Sequence, residues 1–353
     1  MRRVEVAVIG AGVTGLSVAY FLRELGVEAL VVERTGIAAE ASGVQPGGVR
    51  QQWGTRVNCV LARESVAFCR DFESAARFDP CGYLFVAHSE ELLDELRGNV
   101  VLQNEVGVPS RLVSPAEATE LVPGLDVEAV AGGAWCAEDG YFDRPQTVVE
   151  AFGAGTEIEM AEVRRLERDG AGWRLDDLIA ADAVVVAAGV DTTRLVPGVP
   201  IEPEARHLFF SEPIRARLLE PLVVAVERRF AAKQLANGRV LASELAAEGE
   251  RDDWRRHIGA AIHELLPILS FVSFPGLVSG LYDVTPDHQP LIGEVEDNLW
   301  LAAGFSGHGF MLAPAVGRRL AGAVAGSPVD DLLDAFAPDR FAHGAVEPER
   351  RLV

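Results

Sequence analysis

The chain has 353 residues, of which 49% are hydrophobic, 24% charged and 7% aromatic. That composition supplies one large core or two ordinary ones at about 100–200 residues per domain, and it excludes a disordered protein or one that needs disulfides or a metal to fold. With 32 basic and 53 acidic residues the formal net charge is −21, a sign that repels phosphate backbones and anionic membrane surfaces and so excludes nucleic acid as a partner.

The four cysteines, Cys59, Cys69, Cys81 and Cys136, contain no CxxC pair, and no histidine stands at ligand spacing from two of them. Zinc and a disulfide framework are therefore poor readings, and reduced thiols in a cytoplasmic protein are expected. Among the basic residues only Lys233 is a lysine. The apolar opening is interrupted by Glu5, with no small-residue cleavage site after it. Two uncharged stretches, Leu265–Tyr282 and Asn298–Gly317, are broken by prolines or glycines. They read as buried strands and turns, and no transmembrane segment is expected.

In chain order, Val4–Ile9 reads as a strand, Leu16–Leu25 as a helix closed by Gly26, and Glu28–Glu33 as a second strand, a βαβ opening. Helices are predicted over Thr55–Phe72, Ser89–Val100, Ser114–Leu121, Arg144–Phe152 (with Pro145 in its first turn), Trp254–Leu266 and Ala313–Ala325. Strands are predicted over Gly82–Ala87, Ala131–Cys136, Glu162–Arg168, Gly172–Leu175, Ala183–Ala188 and Leu299–Ala303. His207–Ser211, Leu222–Val226 and Val240–Ser243 read as sheet with polar turns, and the tail after Arg340 reads as loose.

Gly10-Ala11-Gly12-Val13-Thr14-Gly15 follows the first strand and opens the first helix. Gly10 permits the tight turn, Gly12 lets a pyrophosphate approach the backbone, and Gly15 allows close helix–strand packing. The helix N-terminus offers free N–H groups and positive dipole to phosphates. Glu33 ends the second strand 23 residues after Gly10, where its carboxylate can accept from ribose hydroxyls and repel a 2′-phosphate. The motif alone does not separate NAD from FAD.

Four blocks carry a resemblance: Gly10–Glu33, Ala41–Gly54 (ASGVQPGGVRQQWG), Val184–Gly189 (VVVAAG) and Gly280–Gly317. With them the chain resembles the FAD-dependent amino-acid and amine oxidoreductases of the D-amino-acid oxidase superfamily, nearest to the sarcosine oxidase and glycine oxidase group. The resemblance implies an α/β (α+β) architecture: a Rossmann-like FAD-binding domain of the glutathione-reductase type, interleaved with a substrate domain on a large mixed or antiparallel sheet. The expected boundaries are 1–80, 140–205 and 285–353 for the first, and 81–139 and 206–284 for the second. It implies FAD contacts at the Gly10–Gly15 turn, Glu33, Arg34, Ala41, Ser42, Gly47, Gly48, Val49, Val163, Ala188 and Gly189. It also implies them along Gly304, Phe305, Ser306, Gly307, His308, Gly309, Phe310 and Met311. Ser42 would hold a phosphate oxygen, and backbone N–H groups of the last segment would favour the charge that develops on reduction. Between Phe152 and Glu162 the chain is shorter than in relatives, which bears on Val163.

The resemblance further implies dehydrogenation of a carbon–nitrogen bond by hydride transfer from the substrate α-carbon to flavin N5, giving an imine, with oxygen or another acceptor taking the electrons. Arg50 matches an arginine that binds the substrate carboxylate in sarcosine oxidases, a bidentate contact that suits guanidinium; a structural arginine packed on the flavin loop is the alternative. Tyr282 stands where glycine oxidases have a carboxylate-clamping arginine and sarcosine oxidases a tyrosine. Gly280 replaces the cysteine that bonds flavin in monomeric sarcosine oxidases, so FAD should be non-covalent. Met311 replaces a lysine carboxylate ligand, and Val240 the lysine that activates oxygen. Lys233 is either a compensating base of tunable pKa or an exposed side chain before the Asn237-Gly238 turn. The expected substrate is a sarcosine-like, proline-like or other N-substituted amino acid. Alternatives are the flavin-bearing subunit of a hetero-oligomeric dehydrogenase, a D-amino-acid dehydrogenase, or an NAD enzyme.

Overall fold

Continuous apolar runs such as Val6–Ile9 and Val184–Val186 are buried on both faces, as strands of a parallel sheet covered by helices must be. In the computed structural model, which describes residues 1–244, 249–344 and 346–349, these runs sit at the centre of an eight-stranded sheet. Its parallel part runs Glu157–Met160, Ala29–Glu33, Arg2–Ile9, Ile179–Val186, Leu299–Ala303. Leu291–Glu296 adds antiparallel at one edge. The first half of Ile179–Val186 pairs instead with a hairpin, Leu166–Asp169 and Gly172–Leu175.

Helices Val13–Glu24 and Gly309–Val324 pack side by side on this sheet. Ser17 Oγ donates to the Ala313 carbonyl at 2.8 Å, and a Cβ at Gly317 would lie 2.3 Å from that hydroxyl, so glycine sets the approach. Both helices start where parallel strands end, and their N-termini share the carboxyl edge of the sheet, the usual ligand position in such folds.

The second eight-stranded sheet runs Gly276–Val284, Glu202–Phe210, Val240–Glu244, Phe230–Gln234, Leu222–Ala225, Tyr83–Ala87, Gly132–Cys136, Arg111–Val113. It is antiparallel except between Leu222–Ala225 and Tyr83–Ala87. Period-two alternation divides its faces. Val86, Val223, Phe230, Val240 and Phe209 lie with helix Arg251–Leu265 in one core. Tyr83, Leu222, Lys233, Leu241, Arg206 and Tyr282 line a cavity on the other face. Gly48–Val49, Gly140–Phe142 and Phe78–Asp79 form a third, small antiparallel sheet whose strands are interleaved in sequence with those of the two large ones.

Several expectations are corrected. The segment predicted as strand Glu162–Arg168 is a strand only over Leu166–Asp169; the parallel pairing with Ala29–Glu33 is made earlier, by Glu157–Met160. The last long helix begins at Gly309, not Ala313, because Pro314 is tolerated inside it. Within Leu265–Tyr282, strand Gly276–Val284 is an edge strand, half-buried rather than buried, with Leu281 46% exposed. The tail is not loose throughout. Arg340 is buried and pairs with Asp287 at 2.8 Å, and Glu349 is buried and accepts from Gly54 N and Thr55 Oγ1, each at 3.2 Å, and from Asn58 Nδ2 at 3.1 Å. Among the described residues no helix is long and apolar enough to cross a membrane.

Candidate active site

A cavity of about 420 Å³ runs along the carboxyl edge of the first sheet. Its walls include Gly10, Gly12, Val13, Thr14, Glu33, Arg34, Ala41, Ser42, Gly48, Val163, Ala188, Gly189, Phe305, Gly307, Gly309, Phe310 and Met311. The structure thus brings together residues that the sequence scatters over some 300 positions. Ala11, Gly15, Gly47, Val49, Gly304, Ser306 and His308 are not wall residues; they stand behind the wall and shape it. A Cβ on Gly15 would meet the Gly10 carbonyl at 2.1 Å. Gly47 turns at φ +84°. Val49 is fully buried.

The glycine turn is fitted to an anion. Gly12 caps the helix without a side-chain bond, and no acidic residue lies in the first turn. Ser42 Oγ accepts from Val13 N at 3.0 Å, which leaves its own proton to donate. A Cβ at Gly12 would stand 3.2 Å from this hydroxyl, filling the cradle. Glu33 accepts from Ala11 N at 2.8 Å, Thr35 N at 2.7 Å and Thr35 Oγ1 at 2.9 Å. Burial pushes its carboxyl up, but these bonds outweigh it and hold the group below the usual range. It is ionised at neutral pH, with lone pairs left for a ribose. Arg34 is held by Asp191 at 2.8 Å.

At the other end, Asp283 accepts from Gly304 N at 2.7 Å and Ser306 N donates to the Asp283 carbonyl at 3.1 Å. Sequence reasoning missed Asp283, although it stands inside the GLYDVTPD block. Burial pushes its carboxyl up to about 6. Ser306 and Gly307 both take positive φ, +52° and +90°, and a Cβ at Gly307 would strike the Tyr282 ring at 2.2 Å. His308 is 1% exposed, meets Trp53 edge-on at 4.5 Å, and is held neutral by burial. It shapes the turn and is not a base facing the cavity.

A second, smaller cavity of about 70 Å³ adjoins the first; Ala41, Gln45, Pro46, Tyr282 and Met311 line both. The second sheet closes it with Leu208, Leu222, Leu241, Val278, Tyr83, Arg206 and Lys233. Arg50, Tyr282 and Lys233, the three expected substrate-side residues, all lie here. Arg50 is wholly buried. Its guanidinium lies 4.0 Å from the Trp53 ring centroid and 5.1 Å from that of Phe85, and it donates to the Gln52 carbonyl. Burial lowers its pKa, offset by Tyr83, Glu349 and Asp139. Asp139 fixes the segment after Arg50 by accepting from Gln51 N at 2.8 Å and Gln52 Nε2 at 3.0 Å.

Lys233 is 1% exposed, not a surface side chain. Its ammonium donates to the Glu220 carbonyl and lies 4.0 Å from the Tyr141 ring centroid. Burial lowers its pKa. It lines the small cavity and not the large one. Sequence reasoning also missed Tyr83 and Arg206. Tyr83 reads as an ordinary strand aromatic, yet its hydroxyl lies so close to Gly48 that a Cβ there would fall 1.7 Å from it. Arg206 precedes the predicted strand; the observed strand begins five residues earlier, at Glu202, and its register sets Arg206 opposite Gly280.

Chemically, the large cavity offers a helix N-terminus, a free hydroxyl and an ionised acid to a nucleotide, and a backbone turn to a ring system. The orphaned donors and the glycine cradle fit FAD. The family model for FAD dependent oxidoreductases matches residues 5–323. The chain is 27% identical to mitochondrial sarcosine dehydrogenase of Mus musculus, over 98% of this chain and 42% of that protein. It is 26% identical to glycine oxidase of Geobacillus kaustophilus, over 91% of this chain and 92% of that one. Among solved structures, L-proline dehydrogenase from P. horikoshii superposes with a TM-score of 0.90 at 26% identity, covering 98% of this chain and 100% of that chain. The chain therefore belongs to the FAD-dependent oxidoreductases of the D-amino-acid oxidase family and is a flavoprotein enzyme.

Proposed function

We propose that the protein oxidises the carbon–nitrogen bond of an amino acid or secondary amine of the sarcosine or proline kind. The observation that carries this reading is a small cavity, part apolar and part cationic, that joins the large cavity at Tyr282 and Met311. When bound, FAD supplies the hydride acceptor. The chain's own contribution is binding and orientation. Gly10–Gly15, Ser42 and Glu33 are proposed to hold the nucleotide, non-covalently, since Gly280 offers no thiol. Arg50 is proposed as the partner of the substrate carboxylate. Tyr282, between the fields of Arg50 and Arg206, is proposed to pack against the substrate. The wall of Leu208, Leu222, Leu241 and Met311 excludes water and favours the neutral amine over its ammonium form. The relatives named above, a sarcosine dehydrogenase, a glycine oxidase and a proline dehydrogenase, support the substrate class. Lys233, buried beside the cavity with a lowered pKa, is proposed as the group that meets oxygen or another acceptor's charge.

The test is an anaerobic absorbance titration of the yellow protein with sarcosine, L-proline, glycine and D- and L-amino acids, then air. Bleaching by one member names the class, and the speed of recovery in air separates oxidase from dehydrogenase. A flavin-loaded protein that no amine bleaches would remove the amine reading.

A further inference from the structure

Three cationic side chains line the small cavity, and a substrate with one carboxylate needs one of them. Two are held in place by carbonyls and aromatic faces. Arg50 is stacked between Trp53 and Phe85 and bonded to a carbonyl. Lys233 is held by the Glu220 carbonyl and the Tyr141 ring. Arg206 is different. Its Nη1 is ion-paired with Glu204 Oε1 and donates to the Ala205 carbonyl, while Nε and Nη2 have no hydrogen-bond partner among the described residues. That edge is the parallel pair of donors that a carboxylate accepts in bidentate fashion. The side chain is 16% exposed, so it is reached through the cavity and sheltered from bulk water, where such a pair is worth most.

The placement is set by the sheet. Arg206 pairs in register with Gly280, and Glu204 with Tyr282, so the guanidinium lies 5.3 Å from the Tyr282 ring centroid. Gly280 carries no side chain there, and Val44 Cγ2 lies 2.5 Å from where a Cβ would stand. Leu208, Val278 and Leu241 flank the small cavity and admit an aliphatic chain of a few atoms, not a phosphate or sugar. Glu244 also borders this cavity, but it pairs in register with His207 and alternates to the opposite face of the sheet, 3.8 Å from His257. Its charge belongs to that side.

We propose that Arg206 is a second anion anchor, and that the substrate is an amine bearing a second carboxylate a few bonds from the reacting nitrogen, an N-substituted amino dicarboxylate or an iminodiacid. Arg206 is then specificity-determining: it selects between diacid and monoacid amines while Arg50 serves what they share. This rests on the amine-oxidation reading above, and the experiment separates the two.

Holoprotein is titrated with two inert sulfur isosteres, thiodiacetate (two carboxylates) and (methylthio)acetate (one), and binding is read from the perturbation of flavin absorbance. Neither compound has a nitrogen to oxidise, so the readout does not depend on turnover. Thiodiacetate is expected to bind about ten-fold tighter or more, the scale of one charge-assisted bidentate contact. Arg206→Gln is expected to weaken thiodiacetate far more than (methylthio)acetate, and Arg206→Lys to keep part of the preference. Equal affinities in the wild-type protein overturn the proposal without any variant, as does a preference that survives Arg206→Gln. Should no amine bleach the flavin while the diacid preference and its loss in Arg206→Gln persist, the amine reading fails and the anion anchor stands.

Discussion

A guanidinium enclosed by two aromatic rings is difficult to replace. At Arg50 a lysine keeps the charge but loses the planar stacking over Trp53 and Phe85 and one carbonyl contact. Arg50→Lys is expected to raise KM for carboxylated amines by about ten-fold and to lower Tm by several degrees. Steady-state kinetics beside a thermal melt check it; unchanged kinetics with a lowered Tm would make Arg50 purely a packing residue. Nearby, the buried Asp139 and the half-buried Asp283 have no ion-pair partner among the described residues. Asp139 and Asp283 are pushed up to about 6 by burial, above the unfolded value near 3.9. A raised folded-state pKa means that the protonated form is favoured in the fold. The resulting stabilisation is full below about pH 4 and is lost as pH rises through about 6. Asp139→Asn removes one such group, so the Tm of the variant relative to wild type is expected to climb between pH 4 and 7. A difference that stays constant across that range would show that Asp139 is already ionised at the lower end.

The elements that frame the nucleotide cavity are turns, and each glycine in them does a separate task. A Cβ at Gly15 would collide with the Gly10 carbonyl at 2.1 Å, whereas one at Gly12 would only approach Ser42 Oγ at 3.2 Å. Gly15→Ala is therefore expected to cost the fold itself, with a large drop in Tm even without FAD. Gly12→Ala should keep the apoprotein's Tm and weaken FAD by about ten-fold or more, read by flavin fluorescence on titration. Comparable Tm losses in both variants would contradict this division. These turns were legible in the sequence because their signals are local: a strand, three spaced glycines, a helix and an acid. The same holds for Gly304–Gly309, where glycines mark positive φ after a strand. Strand Gly276–Val284 was not legible as such, because an edge strand with Gly276 and Gly280 and half-exposed neighbours carries no clean alternation. The misplaced strand over Glu162–Arg168 has a related cause. A short polar strand, Glu157–Met160, is recruited by its neighbour Ala29–Glu33 and not by its own pattern.

At the scale of the molecule, the substrate-side cavity exists only where the second sheet meets the Ala41–Arg50 segment and Met311. Tyr83, Arg206 and Lys233 reach it from strands distant in sequence, and which face each side chain takes depends on register across eight strands. No short window encodes that, so the flavin side was read by motif while two of the residues around the small cavity were missed. The far end of the chain adds a constraint of the same long-range kind. Glu349 N donates to the Asp287 carbonyl at 3.0 Å, and the Glu349 carboxylate caps the donors of Gly54, Thr55 and Asn58. Those donors stand at the start of helix Arg56–Asp71, where a negative charge also meets the positive end of the dipole. The loop so fixed carries Trp53, on which both Arg50 and His308 rest. Glu349→Ala would leave buried donors unmet, and unmet donors to a charged acceptor cost about 1–3 kcal/mol. The expected result is a fall of about 2 kcal/mol in urea unfolding at unchanged m, together with a raised KM as Trp53 and Arg50 loosen. Glu349→Gln, which keeps one acceptor, should recover part of both. A loss below about 0.5 kcal/mol, the size of an ordinary surface change, would mean that the segment rests on the enzyme without bracing the substrate-side wall.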